Sequence, residues 1–373
     1  MSRSGFDNPR TWLAALGACL SMPALAFEME MGPVTLADTF GGGGWTSVTF
    51  IEGFDTVPHV YALPTTDGSD PAALRIRNVT TAGFEVLQVE PSANDGQHEE
   101  MRTAYLAIEP GSHTLPGGVR IVSSSYSTTS FVNRLISTTW DRQTFPITFP
   151  ATPVVLAGIQ TLANETGNPP ATSSIPFMDV AIRNVDTGGL RASLERAEST
   201  AGSVANPETI AILAIDNGAN VNFVDSLGSS IQLQSLLTTR RIRGFDDGCY
   251  TNSYAVAFAA TPLTVASLNT RTGNNGGWVR RCSESATELG LTVDEDVDFD
   301  RERRSTPQTA GIVAASAAFH ANFGVDLNVS KSIDVLSDLV GRPTGPRAIP
   351  ASTIEYTIQV ENTGSLSPDV DTL

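Results

Sequence analysis

The chain has 373 residues, 40 of them acidic and 23 basic, for a formal net charge of −17 at pH 7. That balance excludes a phosphate-seeking surface and disfavours nucleic acid and anionic membranes as partners. Threonine, serine, valine, glycine and proline abound while long runs with apolar spacing of three and four are scarce, so short strands and turns are expected and the chain reads as all-β.

At the N-terminus, Arg3 and Arg10 precede an apolar stretch from Trp12 to Leu20 and then Ala24-Leu25-Ala26. This is the pattern of a secretory signal peptide over residues 1–26, with the mature chain beginning at Phe27. The run is too short, and too interrupted by Ser21 and Pro23, to span a membrane. A second reading takes Leu16-Gly17-Ala18-Cys19 as a lipoprotein box with Cys19 acylated. Under cleavage only Cys249 and Cys282 remain, and in an exported protein these are expected to form one disulfide. Gly41 to Gly44 then form a flexible entry to the first strand.

A module follows three times. Trp45, Phe50, Phe54 and Pro58 recur at identical offsets as Trp140, Phe145, Phe149 and Pro153, and again as Cys249, Tyr254, Phe258 and Pro262. Downstream, Arg77-Asn78-Val79 with Gly83 matches Arg183-Asn184-Val185 with Gly189, and then Arg281-Cys282 with Gly290. Each copy closes on an apolar run, Ala104–Ile108, Ala211–Ile215 and Ala310–Ala314. The period near one hundred residues predicts self-contained domains over 41–122, 136–236 and 245–322. Leu74 and Ile76 alternate with Arg75 and Arg77, a strand with two unlike faces. Gly83 is expected at positive φ in the turn that follows. Since Cys249 stands at the tryptophan position and Cys282 at the asparagine position, a disulfide predicts Trp45 near Asn78 and Trp140 near Asn184. Asn78-Val79-Thr80, Asn164-Glu165-Thr166 and Asn328-Val329-Ser330 have sequon spacing, but the second copy keeps the asparagine and loses the threonine.

On W-x4-F-x3-F-x3-P-x-V, then N-V-T-T-x-G-F-x-V, then a last strand ending Ala107-Ile108, the sequence resembles the H-type lectin family. That resemblance implies tandem antiparallel β-sandwiches in three H-type-lectin-like modules, and contact with N-acetylgalactosamine-type sugars. The residues it points to are Tyr105, as the last-strand aromatic of the first copy, and Arg191, as the basic residue after the glycine turn of the second. Residues 325–373 are similar to an Ig-like bacterial surface repeat, through Leu327–Lys331 and Y-T-I-x-V-x-N-T-G from Tyr356 to Gly364. There Ile354, Tyr356, Ile358 and Val360 alternate with polar residues, and the segment is expected to be an incomplete, poorly packed Ig-like module.

His59, His98, His113 and His320 show no metal or catalytic spacing and read as exposed or loop residues. Asp296, Asp298 and Asp300 have D-x-D-x-D spacing but lack the glycine and glutamate of a calcium loop, with Arg301 and Pro307 in their place. Val297 and Phe299 are expected to point inward and the aspartates outward. The expectation is an exported or bacterial cell-surface protein in adhesion or ligand display, with weak carbohydrate contact, or else a structural stalk. No enzyme activity, cofactor, metal, nucleic acid or membrane insertion is expected. Glycans or other surface proteins are the expected partners, and the three copies are expected to pack as an intramolecular pseudo-trimer.

Overall fold

The computed structural model describes residues 26–40, 44–165, 174–324, 327–337 and 353–362. The signal-peptide stretch lies outside the described residues apart from Ala26, as do Gly41 to Gly43. The regular structure is strand throughout, apart from two single turns of 3-10 helix.

The first module holds β1 (Glu28–Leu36), β2 (Thr46–Thr49), β3 (His59–Ala62), β4 (Ala73–Arg77), β5 (Gly83–Val89) and β6 (Met101–Ile108). They form an outer sheet β2-β5-β4 facing an inner sheet in which β6 lies between β1 and β3. The second has β7 (Gly111–Leu115), β8 (Val119–Thr128), the short β9 (Phe131–Val132), β10 (Asp141–Thr144), β11 (Val154–Ile159), β12 (Asp179–Asp186), β13 (Gly189–Glu195) and β14 (Glu208–Ile215). The third has β15 (Asn220–Val224), β16 (Ser230–Leu237), β17 (Tyr250–Ser253), β18 (Leu263–Leu268), β19 (Trp278–Glu284), β20 (Glu288–Asp294) and β21 (Ala310–Ala315). All paired strands are antiparallel except β9 against β13.

The recurring aromatics have one job in every copy. Phe50 and Phe54 donate their backbone N–H groups to Ala82 O and Thr81 O, as Phe145 and Phe149 do to Gly188 O and Thr187 O, and Tyr254 and Phe258 to Thr287 O and Ala286 O. Within each pair the rings meet edge to face, with centroids 4.8, 5.2 and 5.0 Å apart, a geometry the ring quadrupole favours. The pair therefore clamps the outer-sheet hairpin onto the core.

The sheets cut the chain differently from the repeat. β7 leaves β6 but pairs with β8 of the second module, and β15 leaves β14 but pairs with β16 of the third. β22 (Phe319–Asn322) leaves β21 and pairs with β1, from Glu28↔Asn322 to Met31↔Phe319. Each module thus supplies the edge strand of the next, and the third supplies that of the first. Boundaries at 41–122 and 136–236 place 111–122 and 220–236 one module early and omit β1. Nor is each copy self-contained, because the inner faces share a single core that includes Met31, Leu106, Leu156, Leu213, Leu233, Val265 and Phe319. The reason is visible in β6, β14 and β21, which are buried on both faces and so are apolar almost without alternation.

Amide side chains tie neighbours together where no strand pairing reaches. Gln160 accepts from Val60 N–H at 2.9 Å and donates to Val60 O at 2.8 Å, and Asn269 treats Val155 the same way at 3.0 and 2.7 Å. The corresponding residue of the first module is Thr65, and there backbone bonds between Thr66, Pro64 and Arg281 do the bridging. Buried ion pairs repeat around the ring: Arg75 with Glu165, and Arg271 with Glu195 at 2.5 Å. In the third module Asp294 holds Arg280 and Arg303 together. Those two arginines donate to Thr65 O, Asp70 O and Ser69 O of the first module.

The acidic run departs from expectation except at Asp300, which is exposed. Asp294 and Asp296 are fully buried, and Phe299 is 56% exposed. β20 ends at Asp294, so alternation does not extend through the run. Asp296 instead accepts N–H groups of Glu198, Ser199 and Asp298, joining the second module to the third. Among the described residues no three His, Cys, Asp or Glu side chains are grouped to hold a metal ion. The histidines also differ from expectation: His98 and His320 are buried, and His320 Nδ1 lies 2.9 Å from Glu30 on the facing strand of the ring closure.

These buried carboxylates set a pH dependence. Burial pushes Glu295 up to about 9, helped by the Glu302 and Glu198 carboxylates. It pushes Glu90 up to about 8 and Asp296 to about 7, each partly offset by backbone N–H groups. Raised carboxylates favour the protonated folded state, so their contribution is complete below the ordinary carboxylate range and is withdrawn as pH rises through these values. Burial lowers His59 to about 4 and also lowers His98; their contribution is lost as pH falls below the ordinary histidine range. The melting temperature is therefore expected to peak near pH 5 to 6, on the order set by these opposing groups, and to fall toward pH 9. A flat or rising profile from neutral to alkaline pH would contradict this.

β23 (Leu327–Ser337) pairs with β24 (Thr353–Asn362) as one antiparallel hairpin. The expected inward residues Tyr356 and Ile358 are exposed, and Ile354 is half-buried. Only the one hairpin is present among the described residues of this segment, with no second sheet to cover its apolar face.

Candidate functional site

In the outer sheets, directly opposed residues share a face, and one rung can be compared across all three modules. It is Ser47–Glu85–Arg77 in the first and Arg142–Arg191–Arg183 in the second. In the third, Thr251 and Ser283 flank Gly290, with Cys282 in a bulge beside them.

In the first module Arg77 pairs with Glu85 at 2.7 Å, and its guanidinium lies 3.8 Å from the centroid of Trp45. In the second, Arg183 lies 4.1 Å from the centroid of Trp140. The Cys249–Cys282 disulfide of the third, with Cα atoms 5.9 Å apart, stands in the same place. The partner of the tryptophan is thus the arginine, one residue before the predicted Asn78 or Asn184. Gly290 corresponds to Glu85 and not to the turn glycine, whose place Glu288 takes. A Cβ on Gly290 would lie 2.5 Å from Cys249 Sγ, so glycine makes room for the bridge.

The turn itself is also reassigned. Positive φ falls on Asn78 and Asn184, both at 52°, a conformation asparagine tolerates better than most residues. Gly83 and Gly189 recur for closeness, since a Cβ there would collide with the carbonyl oxygens of Val48 and Gln143, and of the two only Gly189 takes a positive φ, 158°. This explains why both copies keep asparagine while only one keeps a sequon.

Tyr105 is 3% exposed, packed against Phe50 and Phe84 inside the first sandwich, and its hydroxyl donates to Glu30. No sugar can stack on a ring so covered. By strand register its equivalents are Ile212 and Ile312, since Ile108, Ile215 and Ala315 face the starts of β3, β11 and β18. Arg191 is partly exposed on the outer sheet of another module, so the structure does not bring Tyr105 and Arg191 together.

Arg191 instead sits between Arg142 and Arg183, two residues the sequence reading did not select. Arg142 reaches Asp186 at 3.2 Å. Among the described residues neither Arg183 nor Arg191 has a carboxylate partner, and Arg183 Nε is buried without a hydrogen bond. Burial lowers the pKa of Arg183, and the charges of Arg191 and Arg271 lower it further. Like charges directly opposed on a sheet destabilise it. The signal was available in the sequence, because Arg183, Arg191 and Arg142 fall on one rung once the hairpin register is fixed.

Two openings lie elsewhere. One of about 610 Å³ includes Ser92, Arg134, Glu198, Asp298 and Phe299 from all three modules. Its Arg134 is already paired with Glu198 at 3.3 Å and set against the Phe299 ring. The other, about 410 Å³, lies in the third module, where Arg243 and Arg304 are balanced by Asp247 and Glu302. Compared with family models, curated proteins and solved structures, the chain matches none.

Proposed function

We propose that this chain is an exported surface protein that displays ligand-binding sheet faces from a ring of three H-type-lectin-like sandwiches, and that it acts in adhesion without catalysing a reaction. The observation that supports this most is the outer sheet of the second module. There Trp140, Arg183 and Arg191 are partly exposed together, while the corresponding positions are neutralised by Glu85 in the first module and bridged by the disulfide in the third. An aromatic ring beside guanidinium groups that have no carboxylate partner among the described residues suits recognition of a saccharide by stacking and multiple hydrogen bonds.

Glycan-array binding by the intact chain, reduced about tenfold or more by Arg191→Ala, is the expected result; the loss of a hydrogen bond from a charged donor is of that size. Tyr105→Ala is expected to lower stability, because its ring fills the core. An array with no bound glycan would favour the alternative, a stalk or spacer that binds nothing small.

A further inference from the structure

We infer that the rung Arg142–Arg191–Arg183 is a site for an acidic saccharide, a sugar bearing a carboxylate or sulfate group. The inference rests on the saccharide reading above and narrows its ligand class.

The three residues are consecutive partners across β10, β13 and β12. Strands stand about 4.8 Å apart, so the outermost backbone positions are about 10 Å apart, a span that one or two sugar rings can cover. A fourth guanidinium, that of Arg271 from the third module, is buried against Glu195 and acts on Arg183 through its charge. Among the described residues only Asp186 and Glu195 pair with any of them, on Arg142 and Arg271. Two arginines are left with open hydrogen-bonding capacity that suits the paired oxygens of a carboxylate or sulfate. The first module shows that the fold can neutralise this position, since Glu85 occupies the place of Arg191. A chain of net charge −17 that nonetheless opposes three arginines carries a local cost that an anionic ligand would relieve. The same net charge favours a short ligand over a long polyanion, because an extended one brings more of its charges within the screening distance of about 8 Å of the acidic surface.

The test uses the intact chain and Arg191→Glu, which recreates the balanced rung of the first module. Titration with uronate-bearing and with sulfate-bearing oligosaccharides should show binding, which the variant weakens at least about tenfold. The variant's melting temperature should meanwhile rise by about 2 °C. Comparing the two ligand sets shows which anion is preferred. Neutral N-acetylgalactosamine oligosaccharides that bind while acidic ones do not would overturn this inference and leave the saccharide reading standing. Binding of none would overturn both. Acidic saccharides that bind the variant as well as the wild type would place their site elsewhere and also overturn it. Arg191→Gln, which removes the charge without adding one, should lose binding in the same way.

Discussion

Replacing Asp294 by alanine is expected to cost about 3 to 5 kcal/mol, the range for breaking a buried charge network by removing one partner. The carboxylate is fully buried and accepts from Arg280 and from both Nε and Nη2 of Arg303, the latter two at 2.7 and 2.6 Å. Without it two guanidinium groups remain beside each other in a site closed to water. The consequence is not local, because these arginines hold the 65–70 loop of the first module through three carbonyl oxygens. Denaturant unfolding measures the loss directly. A cost below about 1 kcal/mol, the value of an exposed pair, would show that the network does not support the interface.

The second large effect is the disulfide. Cys249 and Cys282 are separated by 33 residues, and closing a loop of that length contributes about 3 to 4 kcal/mol in the chain-entropy account. Replacing both with serine is expected to remove that amount from unfolding stability measured without reductant. Trp45→Ala or Trp140→Ala, at the corresponding sites, should cost less in the cation–π interaction itself, about 0.5 to 1 kcal/mol for a partly exposed pair. Equal losses at all three positions would argue that the bridge acts only as packing.

Much of the fold was legible because its devices are short-range. The aromatic pair, the proline and the hairpin recur at fixed spacing, and the two cysteines could be placed against that spacing. The error of one residue at Cys282 came from a bulge, which adds a residue to one strand without leaving a mark in composition. What could not be read was what covers each face. Period-two alternation put Arg75 opposite Leu74 and Ile76, but nothing in it said that Glu165 of the next module would bury that arginine. Asp294 and Asp296 looked solvated for the same reason: a charge run signals exposure only when its partners are far away. Tyr105 is an aromatic on the last strand, and its burial follows from the Phe50 and Phe84 rings packed on it and from β1 pairing beside it with Gly32 opposite, a strand that the repeat does not include. At Gly32 of that strand a Cβ would lie 2.7 Å from the tyrosine ring.

The closing strand also bears on how the chain reaches its native state. β1 is made first and finds its edge partner only when β22 has been made, with Glu30 and His320 separated by 290 positions. Contacts of that sequence separation are slow to form, since loop-closure entropy must be met before they contribute. A chain of three similar repeats would ordinarily gain stability additively, neighbour by neighbour. Here the pairing of β1 with β22 leaves the first and third repeats incomplete until both are made, so folding is expected to be cooperative across the three modules, as in a single large domain.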